Sequence, residues 1–194
     1  PVIGDLVSGL FYSGKIRHAS ATGKCAVIAD LEPFPGAPLV VVDTAGQSVC
    51  RYSDKGSSRR NEASAEICVN MAIAAVESGA SSVAIVTPYA AQAHASRTLL
   101  KERGQPGMCV ECSTIHRFQG QERDVVILDL VDAEPLPPGR LLSGNNSDGA
   151  ARKLINVALS RARGKLVIVA DVAYFTRKAG GHFVSKVIAA AMQK

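Results

Sequence analysis

Four apolar runs constrain this chain more than any other feature: Leu39–Val42, Val83–Val86, Val125–Val131 and Leu166–Ala170. They are rich in Val and Ile, and they are continuous rather than alternating. A strand with one wetted face alternates, whereas a strand covered on both faces does not, and parallel sheets are covered on both faces. A short stretch over 108–112 also reads as a strand. Helical segments lie between the runs. Asn61 caps one, with Glu62 and Glu66 in its first turn near the positive end of the helix dipole. Another follows Pro88 through Leu100 and stops near Gly104. A third covers Ala151–Arg163 and ends at Gly164, and a last one covers His182–Met192. Strands alternating with helices predict a three-layer α/β domain with a parallel sheet. With 194 residues and 47% apolar composition, the chain has enough material for one sizeable core. Residues 1–24, punctuated by Gly4, Gly9, Gly14 and Gly23, read as a lead-in with little sheet of its own, and 25–194 as the domain. Residues 132–149 read as a long loop of the kind that often carries function.

Several function classes drop out. No apolar run reaches the ~18–20 residues of a membrane span, and no basic-then-apolar leader opens the chain, so the default location is cytoplasmic. The chain begins at Pro1 without an initiator Met and reads as a piece of a longer protein. Its five cysteines are an odd count and too irregularly spaced for a disulfide framework. Cys109 and Cys112 form one C-x-x-C without a second pair, and read as reduced cysteines in or beside a strand. His18, His94, His116 and His182 show no metal-ligand spacing. No G-x-G-x-x-G follows a strand, which excludes a dinucleotide-binding oxidoreductase. The net charge of +5 suits a polyanionic partner.

In open parallel sheets ligands bind beyond the carboxyl ends of the strands. Asp43-Thr44, Thr87-Pro88-Tyr89, Ser113-Thr114 and Asp171 fall at such ends, although these residue types also form ordinary turns. The segment 113–124 joins two apolar runs yet carries Arg117, Arg123, Glu122 and His116 around Gly120, a residue that permits close approach or positive φ. On the third helix, Leu154, Ile155, Val157, Ala158, Leu159 and Ala162 fill one arc, and Arg152, Asn156, Ser160 and Arg163 the opposite one. Arg161 projects from the apolar arc. A buried guanidinium without a partner costs several kcal/mol, roughly, so it needs an anion or an opening to solvent. The other reading is an arginine snorkelling at the helix end.

These segments carry a family resemblance. Thr87-Pro-Tyr-Ala-Ala-Gln92 resembles motif IV of superfamily 1 helicases, Thr114-Ile-His-Arg-Phe-Gln-Gly-Gln-Glu-Arg-Asp124 resembles motif V, and Leu154-Ile-Asn-Val-Ala-Leu-Ser-Arg-Ala-Arg163 resembles motif VI. Leu10-Phe-Tyr-Ser-Gly-Lys-Ile16 is similar to the segment after motif III, so the resemblance spans residues 10–172. Order and spacing match the 1B branch of nonsense-mediated-decay and DNA-processing helicases. No G-x-x-x-x-G-K-[ST] occurs, since Gly23-Lys24 is followed by Cys25. The resemblance therefore implies a RecA-like domain of P-loop NTPase type without its own Walker A. It would be the second of two motor domains that clamp ATP and Mg²⁺ between them, the metal being held mainly by the first.

The resemblance further implies an ATP-dependent DNA or RNA helicase that moves 5′-to-3′, of which this part alone is inactive. It makes Arg161 the arginine finger on the γ-phosphate. Gln119, Gly120 and Glu122 would meet the nucleotide, with Glu122 accepting from the ribose hydroxyl. Thr87, Pro88, Tyr89, Thr114, His116 and Arg117 would lie on or near the single strand. Some relatives carry a further arginine within or just after motif IV, where this chain has Ala90, Ala91 and Ala93. A second γ-phosphate arginine would then be Arg97 or Arg163. The alternative is a nucleic-acid-binding or interaction module that kept the fold without motor activity. Retention of Gln119, Gly120, Glu122 and Arg161 speaks against it.

Overall fold

A computed structural model describes residues 2–16, 23–54, 56–103, 109–143 and 149–194. In chain order the elements are α1 (Val2–Tyr12), α2 (Gly23–Ala29), β1 (Leu39–Asp43), β2 (Arg51–Tyr52), β3 (Arg59–Arg60), α3 (Glu62–Glu77) and β4 (Val83–Thr87). There follow α4 (Ala90–Glu102), β5 (Val110–Thr114), β6 (Arg123–Asp129), α5 (Gly149–Leu159), β7 (Ala162–Ala170), α6 (Val172–Ala179) and α7 (Phe183–Met192). Five strands form one sheet in the order β1-β7-β6-β4-β5, with every pairing parallel. β2 and β3 form a separate antiparallel pair.

Alternate residues of each central strand enter opposite cores, which is why the runs are continuous in sequence. Ala84, Val86, Val126, Leu128, Leu166 and Ile168 pack beneath α1, α5, α6 and α7. Val83, Ile85, Val125, Ile127, Val167 and Val169 pack beneath α3 and α4. Asn61 caps α3 as its sequence suggests, its side chain accepting from the amide of Ser64 at 3.2 Å.

Two local expectations change. The start of the lead-in is not irregular: residues 2–12 form α1, whose Leu6 and Val7 are buried in the main core. The remainder of the lead-in at 17–22 lies outside the described residues. The third helix stops at Leu159, and Ser160 and Arg161 form a turn. Ala162 pairs with Arg123, so Arg163 and Gly164 belong to β7 rather than to a helix end. Gly164 is small because α2 crosses there: a Cβ at this position would lie 2.4 Å from Cβ of Ile28. Beside it Lys165 is fully buried, and its Nζ donates to the carbonyls of Pro33 at 2.7 Å and Phe34 at 3.0 Å, and to that of Leu31. Burial lowers its pKa.

Among the described residues, no helix is long and apolar enough to cross a membrane.

Candidate functional site

The candidate residues divide between two opposite edges of the sheet. Segment 115–122 leaves the carboxyl end of β5 and delivers the chain to the amino end of β6. Phe118, fully buried, anchors it midway. Motif-like residues at its start and at its finish therefore face different edges.

At the amino edge, β6 and β7 begin side by side. The amide of Arg123 donates to the carbonyl of Arg161 at 3.1 Å, which fixes the turn after α5 against the start of β6. Gln119 and Gly120 are exposed in the turn that precedes it. Gly120 has φ +85°, and nothing lies within 4 Å of where a Cβ would stand, so the backbone conformation rather than crowding selects glycine. Glu122 Oε2 lies 3.4 Å from Arg163 Nε, and Asp124 Oδ1 lies 3.6 Å from Arg163 Nη1. The Glu122 and Arg163 side chains are each 53% exposed, so this pair is loosely held. Arg161 is half-buried, and its Nε, shielded from solvent, has no hydrogen-bond partner among the described residues. Its position in a turn removes the helical-wheel argument, but the unmatched donor survives. Arg97 is elsewhere: its Nη1 donates to the carbonyl of Cys112 at 2.7 Å, so of the two candidates for a second γ-phosphate arginine Arg163 is the one that shares this edge with Arg161.

At the carboxyl edge, Thr114 is half-buried and His116 and Arg117 are exposed. Thr87, Pro88 and Tyr89 are buried. Tyr89 donates its hydroxyl to Asp132 Oδ1 at 2.8 Å, and burial followed by the Asp132 charge raises its pKa. This edge stands on a buried network of matched polar groups, although Ser113 Oγ and Arg60 Nε, also toward this edge, lack a hydrogen-bond partner among the described residues.

A sequence profile described as AAA domain matches residues 1–173. The chain belongs to this AAA-domain family. DNA polymerase alpha-associated DNA helicase A of Schizosaccharomyces pombe is 29% identical over 183 residues, covering 88% of this chain and 26% of that protein. DNA-binding protein SMUBP-2 of Rattus norvegicus is 28% identical over 172 residues, covering 84% of this chain and 16% of that protein. Regulator of nonsense transcripts 1 of Dictyostelium discoideum is 25% identical over 178 residues, covering 88% of this chain and 13% of that protein. The chain thus spans about a quarter or less of the length of these relatives. It is a C-terminal domain of superfamily 1 helicase type, of the branch that includes DNA-processing and nonsense-mediated-decay proteins.

In this AAA domain two buried clusters escape a reading of the sequence. The first centres on Asp129 at the end of β6. Gln92 Nε2 donates to Asp129 Oδ2 at 2.6 Å and to the carbonyl of Asn61 at 2.9 Å, while the Asn61 amide donates to Gln92 Oε1 at 2.7 Å. Burial pushes the Asp129 carboxyl up to about 6, against the opposing pull of hydrogen bonds from Gln92, Ser64 and the Val131 amide. The second centres on Asp132, which accepts from Arg59 Nη1 at 2.9 Å, Tyr89 at 2.8 Å and the Gly139 amide at 2.7 Å. Asp132 pins the first part of the long loop. The usable sequence signal was polar residues abutting apolar runs: Gln92 closes the motif IV resemblance, and Asp129 and Asp132 flank the end of β6.

Proposed function

We propose that this domain is the second motor half of an ATP-dependent nucleic-acid helicase. Its amino edge would meet the nucleotide and its carboxyl edge the single strand. The observation that carries the reading is the unmatched, shielded Nε of Arg161, on the same edge as Gly120, Glu122 and Arg163. A half-buried cationic donor without an acceptor is an energetic cost that an anion delivered by a partner domain relieves.

ATP with Mg²⁺ fits this edge as a substrate shared with the preceding domain of the same protein, which would hold most of the metal. The nucleotide supplies the phosphoryl group and the charge that develops as it transfers. Arg161 would supply a guanidinium to meet that charge, the arrangement that accelerates phosphoryl transfer. Arg163 adds a second cation, and Glu122 exchanges its loose pairing for a ribose hydroxyl. Gly120 leaves the backbone open beside Gln119. On the other edge Thr114, His116 and Arg117 would grip the sugar-phosphate backbone, with Thr87, Pro88 and Tyr89 shaping the floor. The names of the relatives, a DNA helicase and a DNA-binding protein, support a nucleic acid as the partner. The short 115–122 connection supports coupling between nucleotide state and grip, because a shift at Glu122 pulls on the segment that begins at Thr114.

Two assays on this chain test the reading. It should fail to hydrolyse ATP, with or without single strands, because the sequence has no phosphate-cradling glycine loop. It should bind unrelated single strands alike, with affinity falling steeply as salt rises. Robust turnover by this chain alone, abolished by Arg161→Ala, would overturn the half-site reading. Salt-independent preference for one sequence would overturn backbone grip.

A further inference from the structure

The carboxyl edge carries a second feature that the motif resemblance does not reach. The loops that follow β5, β4 and β6 stand in sheet order along it, because β4 lies between the other two. Residues assigned to the strand occupy the first two loops only. Beyond Pro88 and Tyr89 a cleft of about 490 Å³ continues toward the β6 loop, bounded by Tyr52 of the β2–β3 hairpin on one side and Arg140 on the other. Clefts of that size, within the roughly 300–1,000 Å³ of small-ligand sites, accommodate a nucleotide unit.

The chemistry of its walls is selective. Tyr52 is 49% exposed although the Arg59 guanidinium sits over its ring, 5.6 Å from the centroid. Arg59 also lies over the Tyr89 ring at 5.8 Å and is held by Asp132. The exposed aromatic ring is therefore mounted on a buried, ion-paired base. Arg140 is exposed on a turn that is equally fixed: the amides of Leu142 and Ser143 both donate to the Gly139 carbonyl at 2.9 Å, and the Gly139 amide donates to Asp132. Among the described residues, no acidic residue lines the cleft. The first residue of α4, Ala90, also borders it, which adds the positive end of that helix dipole. An exposed aromatic on a buried base, beside an exposed cation carried on a fixed turn, is the composition that single-stranded nucleic acid recognises through base stacking and phosphate contact.

We infer that this cleft holds one further nucleotide of the single strand, its base stacked on Tyr52 and its phosphate against Arg140. The strand path then runs past β4 to the loop after β6. The inference rests on the strand-binding reading above and adds base stacking to it, where the other contacts grip only the backbone. Stacking of this type does not depend on base identity, since every base offers a π face.

The test uses this chain and two fluorescent probes, a short oligo-dT strand and a strand of the same length built of abasic units. Tyr52→Ala should weaken oligo-dT binding about tenfold, the effect of losing one stacked base, and leave the abasic strand unchanged. Tyr52→Phe should restore oligo-dT affinity. Arg140→Ala should weaken both strands and reduce the salt slope by about one charge. On the unsubstituted chain, irradiating a bound 5-iodouracil strand should crosslink the peptide that contains Tyr52, a readout that needs no variant to fold. Unchanged oligo-dT affinity in Tyr52→Ala and Arg140→Ala, or crosslinking confined to other peptides, would overturn the inference while binding itself survives. Absence of binding to either strand at low salt would instead remove the strand-binding reading and this inference with it.

Discussion

The two edges of the sheet differ in how much of their polar surface is buried in a matched network. At the carboxyl edge Arg59, Gln92, Asn61, Asp129 and Asp132 are buried and matched to one another. At the amino edge Glu122 and Arg163 are half-exposed and loosely paired, and Arg161 keeps an unmatched nitrogen. Matched buried groups hold a surface in shape, whereas unmatched ones await a partner. Ser113 Oγ and Arg60 Nε, toward the carboxyl edge, are also unpartnered among the described residues, so under the proposed function it is the loose, exposed Glu122–Arg163 pair beside Arg161 that fits an incomplete site.

The sharpest way to break the platform is to remove its buried cation. Arg59→Ala leaves Asp132 enclosed without its ion pair and should cost roughly 3–5 kcal/mol of stability, read by chemical denaturation of this chain. A loss under about 1 kcal/mol, the range of exposed pairs, would erase the distinction between the edges.

The Asp129 cluster gives a pH signature. Its carboxyl pKa is raised from 3.8 to about 6, so between those values the unfolded chain has released a proton that the folded chain retains. Stability from this group is therefore greatest below about pH 4 and falls as pH rises through about 6, by about 3 kcal/mol in all. Comparing denaturation of the chain and of Asp129→Asn across that window isolates the contribution, which the variant should lack. Gln92→Ala should have a smaller effect, about 2 kcal/mol, because Asp129 and the Asn61 amide each lose a partner but keep other neighbours.

The sheet was legible in the sequence because strands buried on both faces cannot hide: each of the four runs became a strand of the central sheet. Helix ends were less legible. Leu159-Ser-Arg-Ala-Arg163 suits a helix locally, and what converts its second half to strand is pairing with β6, a contact distant in sequence. The hairpin was silent for a related reason, since Arg51–Tyr52 and Arg59–Arg60 are too short and polar to show periodicity. The helix α1 was masked by its glycines. Arg161 is the instructive case. The anomaly expected from a helical wheel is absent because Arg161 is not helical, yet a shielded donor without a partner is there.

The smallest stability effects belong to the amino edge. Arg163→Ala removes contacts to Glu122 and Asp124 at 3.4 and 3.6 Å, and should shift stability of this chain by less than about 1 kcal/mol. Thermal unfolding would check it, and a large loss would mean that this edge too is structural.

Under the proposed function, strand-stimulated ATP hydrolysis by the full-length protein carrying Arg161→Ala bears most directly on the amino-edge site. The account predicts that kcat falls on the order of 10³–10⁵-fold, with strand affinity and thermal stability unchanged. Arg161→Lys should rescue it poorly, since an ammonium lacks the planar fork of donors. A normal kcat in Arg161→Ala would contradict the account.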